Sequence, residues 1–289
     1  MALVAAASSL SAQALSSLLV PYGPESLALA GSTLARQAGG FAAADNASAM
    51  SLYDKSFAVG ASYNLWAPQS VGSSVADAGA FFKISERLAL GLEGRLYSSK
   101  EMAVTNLNGA TIDTFTPKDI VGNLALSYRV LEGLSVGVAG RFISSSIGPD
   151  LSGTAFGADV SVSYAHGPLS ASAAVCNLGT KISYGKSSYS LPMLAKAGAA
   201  FSRQGLTVSA EADYLFDGAF AASLGAEYGL ADIAFLRAGY HYGSSDKALP
   251  SFASAGLGLK FAGVELNAAY LFASETLGGT MTFGLGYSF

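Results

Sequence analysis

The sequence predicts an all-β fold: a transmembrane antiparallel β-barrel of about 14 strands, preceded by a short N-terminal segment that plugs the lumen. Three observations carry this. The 289 residues are 51% hydrophobic with a mean hydropathy of +0.40, yet only 12% are charged, about half the share of an ordinary soluble domain. Hydrophobic side chains recur with a period of two rather than 3.6. The connections between alternating segments are short and long in turn, as in barrels of the outer membrane.

Such a charge deficit leaves too few ionised groups to cover a water-facing surface. A helical membrane protein resolves this with runs of about 18 or more apolar residues. None occurs here: the uncharged stretches Ser56–Ala76 and Val160–Thr180 are broken by Ser, Asn, Gly and Pro. A barrel needs apolar side chains only at every second position, where the strand meets lipid. The net charge of −4 is scattered and no basic run exists, which disfavours nucleic acid as a partner. Cys176 is the single cysteine, so neither an intramolecular disulfide nor a thiolate metal cluster is available.

In chain order, Met1–Ala14 reads as a truncated export signal. A short apolar run ends in Ala12-Gln13-Ala14, the small-x-small pattern of a cleavage site, without the usual basic start. Residues 15–55 form the expected plug. Pro24-Glu25-Ser26 resembles a helix start, Ser26–Ala38 is small and apolar, and Gly39-Gly40 interrupts it. The barrel, 56–289, is expected to place strands near 56–66, 75–84, 87–98, 118–130, 133–144, 154–165, 168–177, 192–202, 205–216, 219–230, 232–242, 252–261, 263–272 and 278–289. Most are long enough to cross a bilayer at a tilt.

Alternation is clearest at the C-terminus, where Met281, Phe283, Leu285, Tyr287 and Phe289 interleave with Thr282, Gly284, Gly286 and Ser288. Strand charges fall on the phase opposite the large apolar residues. They are Asp77, Lys83, Arg87, Glu93, Arg95, Asp119, Arg129, Arg141, Asp159, Lys196, Glu211, Asp213, Glu227, Arg237, Lys260 and Glu265. A Lys or Arg facing lipid at midplane costs roughly 2–4 kcal/mol, so lipid selects that segregation. Tight turns at Ser85-Glu86, Glu132-Gly133, His166-Gly167, Gln204-Gly205, Ala231 and Ala262-Gly263 alternate with longer connections, among them Ser99–Pro117, Ser145–Gly153 and Asn177–Leu191. An even strand count with short turns inside places both termini in the periplasm of a Gram-negative cell.

No catalytic, cofactor-binding or metal-binding constellation emerges, and an enzyme is not expected. His166 sits in a His-Gly-Pro turn; His241 is expected to face the lumen beside Arg237. Glu211 and Asp213 share a face but lack further metal ligands. Trp66 and Tyr63, Tyr97, Tyr164, Tyr228, Tyr240, Tyr242 and Tyr287 lie near strand ends, where interfacial girdles account for them. The inward charges are balanced in sign, unlike the single-sign lining of a selective pore. Glu93, Arg95, Arg141, Asp159, Glu211, Asp213 and Arg237 are therefore expected to form a lumenal network that grips the plug. The last strand, with Tyr287 and terminal Phe289, resembles the assembly signal read by the barrel-insertion machinery.

The order of features resembles the PorV/PorQ family of Bacteroidetes outer-membrane proteins, relatives of the FadL-type fourteen-stranded barrel. The resemblance is carried by Pro24-Glu25-Ser26-Leu27-Ala28-Leu29-Ala30-Gly31; by Asp45-Asn46-Ala47-Ser48-Ala49-Met50, where Asn46 matches an Asn-Pro-Ala plug motif and Ala47 replaces its proline; and by Phe115-Thr116-Pro117-Lys118-Asp119, Asn177-Leu178-Gly179 and Leu236-Arg237-Ala238-Gly239-Tyr240. It implies a role in type IX protein secretion: receiving secreted cargo through a C-terminal signal domain and passing it to other components of that system. The alternative, from the FadL side, is transport of small hydrophobic molecules, with a lateral or lumenal apolar pocket.

Overall fold

The computed structural model describes residues 15–36, 39–106, 108–245 and 247–289. The expected signal segment 1–14 and the last two residues of Ser26–Ala38 lie outside them. Strands are β1 Phe57–Trp66, β2 Ser73–Lys83, β3 Leu88–Ser98, β4 Met102–Thr105, β5 Thr111–Phe115, β6 Lys118–Leu131, β7 Leu134–Gly148, β8 Leu151–His166, β9 Leu169–Gly179, β10 Ile182–Tyr184, β11 Ser187–Tyr189, β12 Leu194–Arg203, β13 Leu206–Leu215, β14 Ala219–Leu230, β15 Ala234–Gly243, β16 Phe252–Phe261, β17 Val264–Phe272 and β18 Met281–Ser288.

Fourteen of these close a barrel in the order β1-β18-β17-β16-β15-β14-β13-β12-β9-β8-β7-β6-β3-β2, every neighbouring pair antiparallel. The remaining four form two separate hairpins, β4–β5 and β10–β11, inside the longest connections. Closure at β1–β18 pairs Ala58 with Ser288 through Leu65 with Met281, and the Phe289 carbonyl accepts from the Ser56 and Phe57 amides. The sheet closes on itself, so no strand is an edge along its whole length, as a sheet immersed in hydrocarbon requires.

The two phases of each strand separate as expected. Leu92, Leu124, Val138, Phe156, Leu224, Leu257 and Phe283 are exposed on the outer face, while Asp77, Glu93, Arg95, Arg141, Asp159, Glu211 and Arg237 are buried inside. Short turns and the chain end gather at one rim (the terminal end) and long connections at the other (the loop end).

Several expectations are corrected in detail. The loop expected over 145–153 shrinks to Pro149-Asp150, because β7 and β8 stay paired to Gly148 and Leu151. Ser144–Ser146 and Ser152–Thr154 are small and polar on both phases, so the ladder continues where the hydrophobic period fades. Trp66 is not a girdle residue: it is 5% exposed and packs inward with Val20, Leu27, Val75, Phe252, Leu271 and Leu277. Tyr97 is also turned in, its hydroxyl donating to Ser73 Oγ at 2.8 Å. Arg87 is exposed in the β2–β3 turn rather than lumenal.

The described residues between 15 and 53 pack inside the barrel. Leu15 and Leu18 pack with Val121, Ile143 and Ile182 toward the loop end. A short helix, α1 (Gly23–Ala28), lies against β16, β17, β18 and β1. A second, α2 (Ala42–Asp45), and a 3-10 turn at Ala47–Ser51 fill the terminal end against β2, β3, β6, β7 and β8. The helix predicted from Ser26 ends at Ala28, since Ala30 and Gly31 adopt left-handed φ of 55° and 87°. Wall and plug backbones meet where side chains are missing: a Cβ on Gly137 would strike the backbone of Ala47-Ser48, and one on Gly40 that of Val59-Gly60.

Candidate functional site

The predicted lumenal charges form separate clusters rather than one network, and those around Arg95, Glu211 and Arg237 grip the plug. Arg95 has a fully buried side chain and pairs with Asp77 at 2.6 Å. Its remaining donors reach three plug carbonyls, Ser17 at 3.0 Å, Val20 at 2.8 Å and Pro21 at 3.3 Å, and its guanidinium stacks 3.6 Å from the Tyr22 ring. The planar fork suits several acceptors at once, which an ammonium does not. On the same strand, Glu93 accepts from Asn123, whose carbonyl accepts from Arg141 Nε at 2.7 Å. Arg141 also pairs with Asp159 at 2.8 Å and donates to Asn177.

Across the lumen, Glu211 accepts from Lys196 at 2.6 Å and from the plug amides of Thr33 and Leu34 at 3.1 and 2.9 Å. Arg237 pairs with Glu227 at 2.5 Å and donates to Asn267 at 2.7 Å; Glu227 is also held by plug residue Arg36 at 2.7 Å. Asn267 in turn donates to Glu25 of α1 at 3.1 Å. Charges removed from water this completely persist because each finds partners; a lone buried ion is far more costly.

Asn46 caps the terminal-end turn. Its carbonyl accepts from the Ser48 amide and hydroxyl at 3.1 and 2.7 Å, and its amide donates to the Leu34 carbonyl and Ser163 Oγ at 2.6 and 3.0 Å. Wall serines complete the attachment. Ser127 and Ser135 donate to the Ser48 carbonyl, Ser170 to Ala35, Ser209 to Ser32 and Ser254 to Ala28. Sequence reading missed Arg36, Glu25, Asn123, Asn177 and Asn267. Asn on the inward phase of an otherwise apolar strand was the available signal.

Tyr287 and Phe289 are exposed on the lipid side of the seam strand, Phe289 against Phe57 at 5.5 Å. His166 is exposed in its turn; His241 is buried, stacked on Phe252 and bonded through Nδ1 to Ser223 Oγ at 2.9 Å.

Above the plug floor lie two cavities. The outer one, about 410 Å³, opens at the loop end and is lined largely by apolar groups, including Leu15, Trp66, Val71, Ile147, Leu249 and Leu277, with Asp119 on its wall. The inner one, about 100 Å³, is bounded by Leu18, Leu194, Leu215 and Phe252, together with Lys196, Glu211, Asp213 and His241. Both are lined by Leu19, Val20, Ala248 and Leu249, so the two adjoin.

The inner cavity also touches Cys176, Asn177 and Leu194, where the wall itself changes. Strand β9 pairs with β12 only as far as Cys176–Leu194, but with β8 up to Gly179. The β8–β9 register slips at Asp159, with Asn177 in the left-handed region at φ 60°, the geometry of a bulge. Asn177 bridges this break: its amide N–H donates to Asp159 at 2.7 Å and its side chain to the Pro192 carbonyl at 2.9 Å. Leu191 lies over Gly157 and Gly179. No lateral ladder hydrogen bond joins β9 to β12 beyond Cys176.

No protein-family model and no curated protein matches this sequence. Solved structures match its fold. The toluene transporter TodX of Pseudomonas putida superposes with a TM-score of 0.70 at 13% identity, covering 93% of this chain and 98% of that one. The toluene transporter TbuX of Ralstonia pickettii gives 0.69 at 13% identity, with the same shares covered. A Pseudomonas aeruginosa FadL homologue gives 0.61 at 14% identity, over 93% of this chain and 96% of that one. The fold is thus that of FadL-like outer-membrane barrels.

Proposed function

We propose that a chain with this fold acts in the outer membrane of a Gram-negative bacterium as a channel for small hydrophobic molecules, its termini in the periplasm. The observation that supports this most directly is the pair of adjoining cavities, the outer one largely apolar, between the loop end and a closed plug floor. A polar solute gains nothing from such a lining, whereas apolar surface leaving water gains about 25 cal/mol per Å². The floor at Ala42–Ser51 obstructs an axial path, and the inner cavity adjoins the β9–β12 break. Passage sideways into the bilayer is the route that keeps an apolar molecule out of water. The structural neighbours include transporters named for toluene, which supports the same substrate class.

Uptake of radiolabelled toluene at limiting concentration, in a host stripped of its own hydrocarbon channels, tests the reading. Expression of this chain should raise the initial rate several-fold over empty vector. A rate equal to vector, with the barrel assembled, would refute it. The type IX cargo role implied by PorV/PorQ resemblance has the sequence motifs as its support; of these, Asn46 holds the plug in place. An unchanged secretome in a deletion strain would remove that role.

A further inference from the structure

We propose that the inner cavity is a selectivity chamber for single-ring or short-chain molecules bearing a hydrogen-bond donor, a hydroxyl or amino group, and that Asp213 receives the donor. The inference rests on the channel reading and narrows its substrate class. One polar atom of this chamber, Asp213 Oδ1, is enclosed without a hydrogen-bond donor, its carboxyl group lying beside Glu211 and opposite Lys196 on β12. Buried polar atoms are normally satisfied, so an orphan acceptor on a cavity marks a vacancy for a polar guest atom.

The charge of the lining points the same way. Asp45, Asp159, Glu211 and Asp213 face Lys196 and Arg141, four carboxylates against two cations. Asp159 is matched by Arg141 and Glu211 by Lys196, which leaves Asp45 and Asp213 in excess. A carboxylate guest meets repulsion in such a chamber; a hydroxyl or ammonium meets acceptors. The opposite walls, Leu18, Leu194, Leu215 and Phe252, suit a hydrocarbon body. At about 100 Å³ the chamber is somewhat smaller than the roughly 150 Å³ apolar cavity known to admit benzene, which limits a guest to a single ring or a short chain. A site with a buried acceptor discriminates strongly against an analogue that leaves the acceptor empty.

The test uses the purified full chain in detergent and three probes sharing a methylated ring: p-cresol, toluene and p-toluate, titrated calorimetrically against micelle blanks. p-Cresol should bind at least about tenfold more tightly than toluene, the value of one charge-assisted hydrogen bond, with p-toluate weakest. Asp213→Asn, checked for folding by its unboiled gel mobility, should bring p-cresol to within about threefold of toluene. Equal binding of p-cresol and toluene by the unaltered protein overturns the proposal whatever the variant does, and leaves the channel reading standing. A p-cresol preference that survives Asp213→Asn overturns the assignment to Asp213. Absence of toluene binding together with absence of toluene uptake defeats the channel reading instead.

Discussion

Arg95→Leu is the sharpest probe of how the plug is held. The substitution keeps an aliphatic stem but strands Asp77, which is 4% exposed and retains only a 3.3 Å bond from Ser62. Removing one partner of a buried pair costs about 3–5 kcal/mol. The carbonyls of Ser17, Val20 and Pro21 lose their donor as well, each worth about 1–3 kcal/mol if left dry. Ser17 and Val20 border the outer cavity, so water replaces part of that loss, and about 4 kcal/mol against plug docking is the expected total. Arg36, inside the plug and held by Glu227, gives trypsin a place to report its release. The variant should be cut there at least a hundredfold faster than the parent while the barrel stays intact. Asp77→Leu added to Arg95→Leu should restore about half the loss, because the stranded carboxylate goes too. Arg95→Lys should fall between. Arg95→Leu with parental trypsin resistance would refute the clamp.

Three further substitutions test other parts of the structure. Asn46→Ala removes a cap and two cross-links from the Ala47–Ser51 turn and should destabilise the plug by about 2 kcal/mol, read as faster tryptic cleavage without loss of barrel β-signal in circular dichroism. Gly137→Val drives a side chain into the Ala47-Ser48 backbone; overpacking of this kind costs about 1–3 kcal/mol and should lower the temperature of plug release, whereas Gly140→Ala, with open space around its Cβ, should not. Leu124→Arg places a cation on the outer face at mid-strand, where Leu124 is 53% exposed, and should lower barrel stability in urea by about 2–4 kcal/mol. An unchanged midpoint there would mean that this face does not meet lipid.

The barrel was legible because lipid imposes one rule on every strand: the phase of Leu92, Leu124 and Leu224 must be apolar and that of Glu93, Arg95 and Glu211 need not be. Turn chemistry added the alternating ends. The plug was legible only as a change of composition. Its path depends on contacts such as Ser170 to Ala35 and Gly137 to Ser48, which join residues far apart in the chain and leave no local period. Trp66 misled for a related reason, since an aromatic at a strand end satisfies a membrane interface or a lumenal cluster equally well. The clamps were foreseeable as a balanced set of charges, but not their pairing. Arg95 with Asp77 and Arg141 with Asp159 are set by β-register, which the hydrophobic alternation specifies only to within two residues.

The uneven strands shape the mouth of the molecule. β8 has 16 residues and β17 has 9, and the two stand across the barrel from each other. At about 3.3 Å per residue, the β7–β8 side rises roughly 20 Å further along its strand direction. The entrance is therefore a scoop with a tall back and a low lip. On the proposed channel reading, molecules reach the opening over the low β17–β18 side and meet the back wall. The Pro149-Asp150 tip, clear of the lipid and of both cavities, is accordingly the place to graft an epitope without narrowing the mouth.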